Sequence, residues 1–367
     1  MNVSDQALII LAQAQDRIAE AERRQQAVWE NDQTVPLPLL LTANTPPAHT
    51  GGLSWHNYKE IHFDSEKMFA NGMLEALRAV SGGACAVPSM RADMGCSIYP
   101  SLLGVEPRLF EDKMPWVKDH LTKAQIAKLT LDDIGPCKEF SMALQHMAYI
   151  RDKLGNSPAR LYPLDLQGPF DVAHIVYGDE IFYDLYDDPP FIHHLMELSC
   201  HAMIWGMERC LTIIPGSDTL VAHYGNLVIP RSMGGLKLSE DTSTLLSPAF
   251  IDEFVTPYTQ KVLEHFGGGY IHYCGKNDYL LEAMLGLEKV YAINFGNPEM
   301  HDMEAVLSRA AQAGKIYYGW VNKKPDENDR DFFKRVRDIS HGRLLLTYEA
   351  ENRDTAPIID DWEESGV

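Results

Sequence analysis

A (β/α)₈ TIM barrel with an N-terminal helical extension is the fold this sequence predicts, on three observations. Eight short apolar runs of strand type are spaced along the chain, helical stretches separate several of them, and the residues closing the runs are rich in chemistry. Strands alternating with helices imply a parallel sheet, and eight such units imply closure, which removes exposed edges. An open doubly wound sheet is the alternative, weakened because no G-x-G-x-x-G follows an early strand. With 367 residues, 45% of them hydrophobic, one large core is expected over the whole chain. Residues 1–60 are assigned to the extension and about 61–357 to the barrel core.

The extension begins with a helix over 3–30, where Ala7, Ile10, Leu11 and Ala14 recur at helical spacing. The strand runs are PLPLLLT (36–42), ACAVPSM (84–90), ARLYPLDL (159–166) and GLKLSED (235–241), then GYIHYC (269–274), KVYAINF (289–295), KIYYGWV (315–321) and RLLLTYE (343–349). Helices are predicted over 138–154, 179–212, 248–266, 277–286, 301–313 and 328–339. Ser247 and Pro248 suit the N-cap and first position of a helix, and the glycines at 267–269 suit a helix stop.

Charge and cysteine usage narrow the function classes. Lys and Arg number 32 against 52 Asp and Glu, a formal charge of −20, which disfavours nucleic acid and anionic membrane surfaces as partners. Cysteines 85, 96, 137, 200, 210 and 274 form no C-x-x-C and no compact framework, as expected for reduced thiols in a cytoplasmic protein. QALIILA at 6–12 has no basic segment before it, unlike a secretory signal, and no apolar run approaches the roughly 18–20 residues that span a bilayer.

Barrel sites lie at the C-terminal ends of the strands. There the sequence places Arg91 and Asp93, Asp165 and Gln167, Glu240 and Asp241, His272 and Cys274, Asn294, Trp320 and Glu349. His272 and Cys274 are two apart on a strand, so both side chains share a face, and imidazole with thiolate suits Zn²⁺. Gly275 allows the tight turn that follows. A buried cysteine beside an ordinary histidine is the competing reading. Glu240 and Asp241, being adjacent, point to opposite sides, so at most one faces the mouth unless the turn begins between them. Each suits a general acid/base or substrate-orienting group, or a helix cap. His193, His194 and His201 fit a helix surface or core, Met203 and Met207 fit core, and Cys85, Cys137, Cys200 and Cys210 fit packing.

Four segments carry a resemblance. They are GPFDVAHIVYGDE (168–180), DLYDDPPFIHHLMELS (184–199), EDTSTLLSPAFIDEFVTPYTQKV (240–262) and IHYCGKN (271–277). With an L-S-P-x-F-x-x-x-F-x-x-P-Y pattern from Leu246 to Tyr258 followed by H-x-C-G, the chain from about residue 60 onward resembles the uroporphyrinogen decarboxylase superfamily. That group holds decarboxylases of haem synthesis and cobalamin-dependent methyltransferases that use coenzyme M, and H-x-C-G is typical of the latter. The resemblance implies zinc on His272 and Cys274, with a third ligand on the last strand. Glu349 falls at that position in GRLLLTYEAENRDTAP (342–357), where the family has cysteine. It implies a zinc-dependent enzyme moving a methyl group between a corrinoid such as methylcobalamin, carried on a partner corrinoid protein, and a small-molecule acceptor or donor. Asp165, Glu240 and Asp241 would then orient substrate or move a proton, while Arg91, Asp93, Gln167, Asn294 and Trp320 would line the substrate. Two alternatives stand beside it. One is a metal-free decarboxylase using Arg91 and Asp93, although the family's second arginine is missing from MRADMGC (90–96). The other is a non-catalytic barrel that binds a corrinoid or small ligand.

Overall fold

The computed structural model describes residues 3–43, 52–222, 226–351 and 353–366. Every predicted run contains a strand: β1 Leu39–Thr42, β2 Ser89–Met90, β3 Arg160–Leu161, β4 Leu236–Ser239, β5 Gly269–Tyr273, β6 Val290–Phe295, β7 Ile316–Gly319 and β8 Leu344–Glu349. Six of them form a parallel sheet in the order β1-β8-β7-β6-β5-β4, with many helices packed on it, giving an α/β fold. β2 and β3 pair in parallel with each other. A hydrogen bond from the Cys85 amide to Leu39 O (2.9 Å) joins the β2 run to β1, and a parallel bridge from Gln167 to Ser239 joins the β3 run to β4.

Period-2 alternation sorts the strand residues onto two faces. Leu236, Leu238, Ile271, Tyr273, Ile293, Phe295, Tyr317, Leu344 and Leu346 enter the main core with the helices. Leu40, Tyr270, Ala292, Tyr318 and Leu345 face the other way and pack with Trp29 and with Leu227 and Ile229 of a hairpin. That antiparallel hairpin, Thr219–Ala222 with Leu227–Pro230, is absent from the sequence expectation. It is fastened from the N-terminus: Gln25 Nε2 donates to Cys85 O (2.7 Å) and Asn226 O (2.9 Å), the Val228 amide donates to Gln25 Oε1 (2.7 Å), and Trp29 Nε1 donates to Val228 O (2.7 Å).

Several boundaries differ from expectation for local reasons. The helix expected over 3–30 is two, Val3–Gln13 and Gln15–Glu30. Ala7 and Leu11 pack into the main core, whereas Ile18 and Ala21 pack against Cys85 and Val228, so the chain re-aims between them. The helix expected over 179–212 breaks at Asp188, whose side chain caps the amide of Phe191 ahead of Pro189–Ile213. Pro189 and Pro190 lack the N–H groups a continuous helix would use. Ser247 caps the helix that follows it, with Pro248 at its first turn, and Gly267 closes the helix Thr256–Phe266 in a left-handed conformation, both as expected. Between them Ile251–Val255 is a π turn, where Pro257 cannot donate the usual bond one turn back. β1 lies before residue 61, so the sheet begins inside the segment assigned to the extension. Met203 and Met207 are buried, and all six cysteines are unpaired. No helix among the described residues is long and apolar enough to cross a membrane.

Candidate metal centre

His272 and Cys274 project from the end of β5 on the face that carries Tyr270, as their spacing predicts. Register places His272 between Ser239 on β4 and Asn294 on β6. Two residues beyond Ser239, on the same face, comes Asp241. The ligand atoms of Asp241, His272 and Cys274 all lie within 4.8 Å of one another. His272 Nε2 stands 3.6 Å from Cys274 Sγ and 3.7 Å from Asp241 Oδ1. For zinc bonds of about 2.0–2.3 Å in a tetrahedron, neighbouring ligand atoms are separated by about 3.3–3.8 Å.

A chain of hydrogen bonds fixes the tautomer of His272. The Asn294 side chain meets the backbone oxygen of Tyr318, which only accepts, so Nδ2 faces it (2.6 Å). Asn294 Oδ1 is therefore turned to His272 Nδ1 at 2.5 Å and accepts a hydrogen bond from its N–H. That leaves Nε2 with a lone pair aimed at the cluster, the arrangement by which an outer residue orients a metal-binding histidine. Burial first, and then Lys237, pushes the imidazole down to about 4, so it is neutral. The Cys274 thiol is pushed up to about 11 by burial and then by the Asp241 carboxylate. A divalent cation among these groups reverses that balance, because it favours thiolate.

The backbone around the cluster is equally specified. The amides of Asp241 and Thr242 both donate to the buried carboxylate of Asp171 (2.7 Å each), which holds the turn after β4. The Cys274 amide donates to Asp241 Oδ1 at 2.5 Å. Gly275 takes φ 84°, the turn its identity predicts. A Cβ on Gly296 would fall 2.4 Å from Cys274 Sγ, so only glycine leaves the sulfur its place. The cluster opens into a cavity of about 730 Å³ shared with Trp320 and Glu349.

The other predicted residues divide into three groups. Asn294, Trp320 and Glu349 line the cavity with His272 and Cys274. Glu349 is exposed and outside the three-residue cluster, which Asp241 completes. Arg91, Asp93 and Asp165 form a charge network: Arg91 lies 2.9 Å from Asp93 and 3.6 Å from Asp165, whose other oxygen receives Lys237 Nζ at 3.0 Å. Gln167 is buried beside Ser239. Glu240 points away from the cavity, accepting from Thr259 Oγ1 (2.5 Å) and Ser243 Oγ (2.7 Å), and burial pushes it up to about 7. Lys237 and Asp171 are absent from the sequence expectation. The alternation 237, 239, 241 on β4 is the signal that carries Lys237; Asp171 lies inside a helix and has no such signal.

No family model matches the chain, and no curated protein is similar to it. Among solved structures, a methyltransferase from Methanosarcina mazei aligns with a TM-score of 0.63 and 12% identity, covering 94% of this chain and 98% of that one. At that identity the likeness concerns the fold, and it supports an α/β architecture built around parallel strands over nearly the full length of both chains.

Proposed function

We propose that the chain is a zinc-dependent methyltransferase of the uroporphyrinogen decarboxylase superfamily type, in which Asp241, His272 and Cys274 hold the metal. The observation that carries the reading is the cluster itself: three donors of zinc-binding chemistry within 4.8 Å of one another, His272 at 3.6 and 3.7 Å from the other two, with Asn294 fixing the histidine tautomer. A zinc ion held there supplies Lewis-acid chemistry, lowering the pKa of a thiol or water bound to it. The chain's own residues do the rest. Asp171 holds the Asp241 turn, Asn294 keeps Nε2 of His272 unprotonated, and Gly296 keeps the sulfur's place. Glu349 lines the same cavity as His272 and Cys274. The fold likeness to a methyltransferase agrees with methyl transfer. A corrinoid such as methylcobalamin, on a partner protein, is the proposed co-substrate. The Cys85–Leu39 and Gln167–Ser239 contacts support closure of the eight strands into a barrel.

Arg91 argues against the decarboxylase alternative, because Asp93 and Asp165 already flank it. The test is metal content of the purified protein, followed by demethylation of methylcobalamin with a thiol acceptor, read from cobalamin absorbance. About one zinc per chain and thiol-dependent demethylation are expected. A protein that takes up no zinc sinks the metal centre. A zinc protein inert in the assay leaves the binding-barrel alternative in its place.

A further inference from the structure

Asn226 lines two separate cavities. One is the cavity of about 730 Å³ that holds His272, Cys274 and Trp320. The other, of about 320 Å³, is lined by Trp55, Tyr58, Arg91 and Tyr162. The Asn226 backbone has φ 61°, a left-handed conformation that Asn tolerates better than most side chains. Partners hold that backbone from two sides. The Asn226 amide donates to Ser89 Oγ (3.0 Å), and its carbonyl accepts from Gln25 Nε2 (2.9 Å) and from the Val87 amide (3.2 Å). The carboxamide, by contrast, makes no hydrogen bond to any described residue. It offers two donors and one acceptor to a ligand beside it. The smaller cavity sets Trp55, Tyr58 and Tyr162 beside Arg91, Asp93 and Glu75, and the larger carries His272 and Cys274, so a molecule touching both would be extended rather than a one- or two-carbon one.

We propose that Asn226 selects the ligand: its carboxamide hydrogen-bonds an amide or carboxylate in the middle of a small molecule that reaches from the metal centre into the Trp55–Tyr162 compartment. The anchored end rests on the metal-centre reading above; the role of Asn226 is tested separately from it. Two thiol probes share a sulfur end and differ in the middle group: N-acetylcysteamine carries an amide and ethanethiol does not. Calorimetric titration compares them on the full-length wild-type protein and on Asn226→Gly. Glycine accepts the left-handed backbone at least as well as Asn, so the substitution removes the carboxamide and keeps the turn. The wild type is expected to bind the amide-bearing thiol more tightly than ethanethiol. Asn226→Gly is expected to weaken only the former, by roughly three- to tenfold, the worth of one hydrogen bond, with melting temperature unchanged. Equal loss for both probes, no loss for either, or a wild type that does not distinguish them overturns the proposal. In cobalt-loaded protein, the thiolate-to-cobalt absorption reads the metal end independently. Its absence sinks the metal centre, while the calorimetric ratio still decides the role of Asn226.

Discussion

Strands β4 to β8 run four to six residues each and pair neighbour to neighbour in one sheet, with one register shift at Val290–Ala292, whereas β2 and β3 have two residues each and form a ladder only with one another. The metal-type donors sit on the continuous side. There the backbone register alone sets Ser239, His272 and Asn294 in one row. On the short-stranded side, side chains stand in for the missing ladder: Gln25 cross-links two backbone segments, and Arg91, Asp93, Asp165 and Lys237 form a mutually neutralising set. A ladder holds position through many small, redundant bonds; a charge network holds it through a few groups that depend on each other. Substitutions on the two sides should therefore fail differently, in binding on one and in stability on the other.

The largest effect expected is at Cys274. Cys274→Ala should lose on the order of 3–5 kcal/mol of zinc affinity, a proportionate share of the roughly 10–16 kcal/mol typical of structural zinc sites. Melting temperature should stay at the metal-free wild-type value. The wild type should also bind zinc about tenfold more tightly per pH unit as pH rises from roughly 6 to 8, since a thiol that is protonated without metal must release one proton. That slope should flatten in Cys274→Ala. Competition titration with a chelating dye at several pH values checks both, and an unchanged slope would remove Cys274 from the metal.

Next comes Lys237, on the same strand face as Asp241 but tied to the other side. Lys237→Met removes the cation at 3.0 Å from Asp165 and keeps Arg91 at 3.6 Å. The expected cost is about 3 kcal/mol, near the low end for breaking a buried pair, read by urea unfolding. A cost within about 0.5 kcal/mol, the range of surface substitutions, would contradict the contrast between the two sides.

Asn294→Ala should cut zinc affinity about 10- to 100-fold while the donors stay in place. An affinity equal to wild type would show that His272 keeps its tautomer without help. The smallest change is expected at Glu349. Glu349→Gln should alter zinc affinity less than about threefold, whereas Asp241→Asn should weaken it about tenfold or more, as removal of a direct carboxylate donor requires. The opposite order would return the third-ligand role to the last strand.

How much of this was legible in the sequence follows the same division. The eight runs, the H-x-C pair and the glycine after it are local patterns, and each appears where its spacing puts it. Asp241 and Glu240 were both legible as candidates, and strand parity separates them only once β4 is in register with β5: Ser239 faces His272, so Asp241 continues on that face and Glu240 lies opposite. Glu349 stood out because it ends the last strand, yet a position along a strand says nothing about distance across a cavity. The hairpin at 219–230 went unseen because Thr219–Ala222 and Leu227–Pro230 are short apolar runs beside a long helix, with no cue that they cross to Val87 and Trp29. Asn226 shares that blindness, since its role depends on partners far away in the chain.

The Gln25 and Trp29 contacts join residues about two hundred positions apart, 201 and 199 in the two cases. During synthesis at roughly 5–20 residues per second, the helix Gln15–Glu30 leaves the ribosome some 10–40 s before its receptor at Asn226 and Val228 exists. For that interval its Val28 and Trp29 have no hairpin to cover them. A segment made some two hundred residues before its receptor must wait to find its seat. A chain stripped of its first 30 residues should accordingly accept that helix as a separate peptide, recovering in two pieces what the ribosome assembles in one.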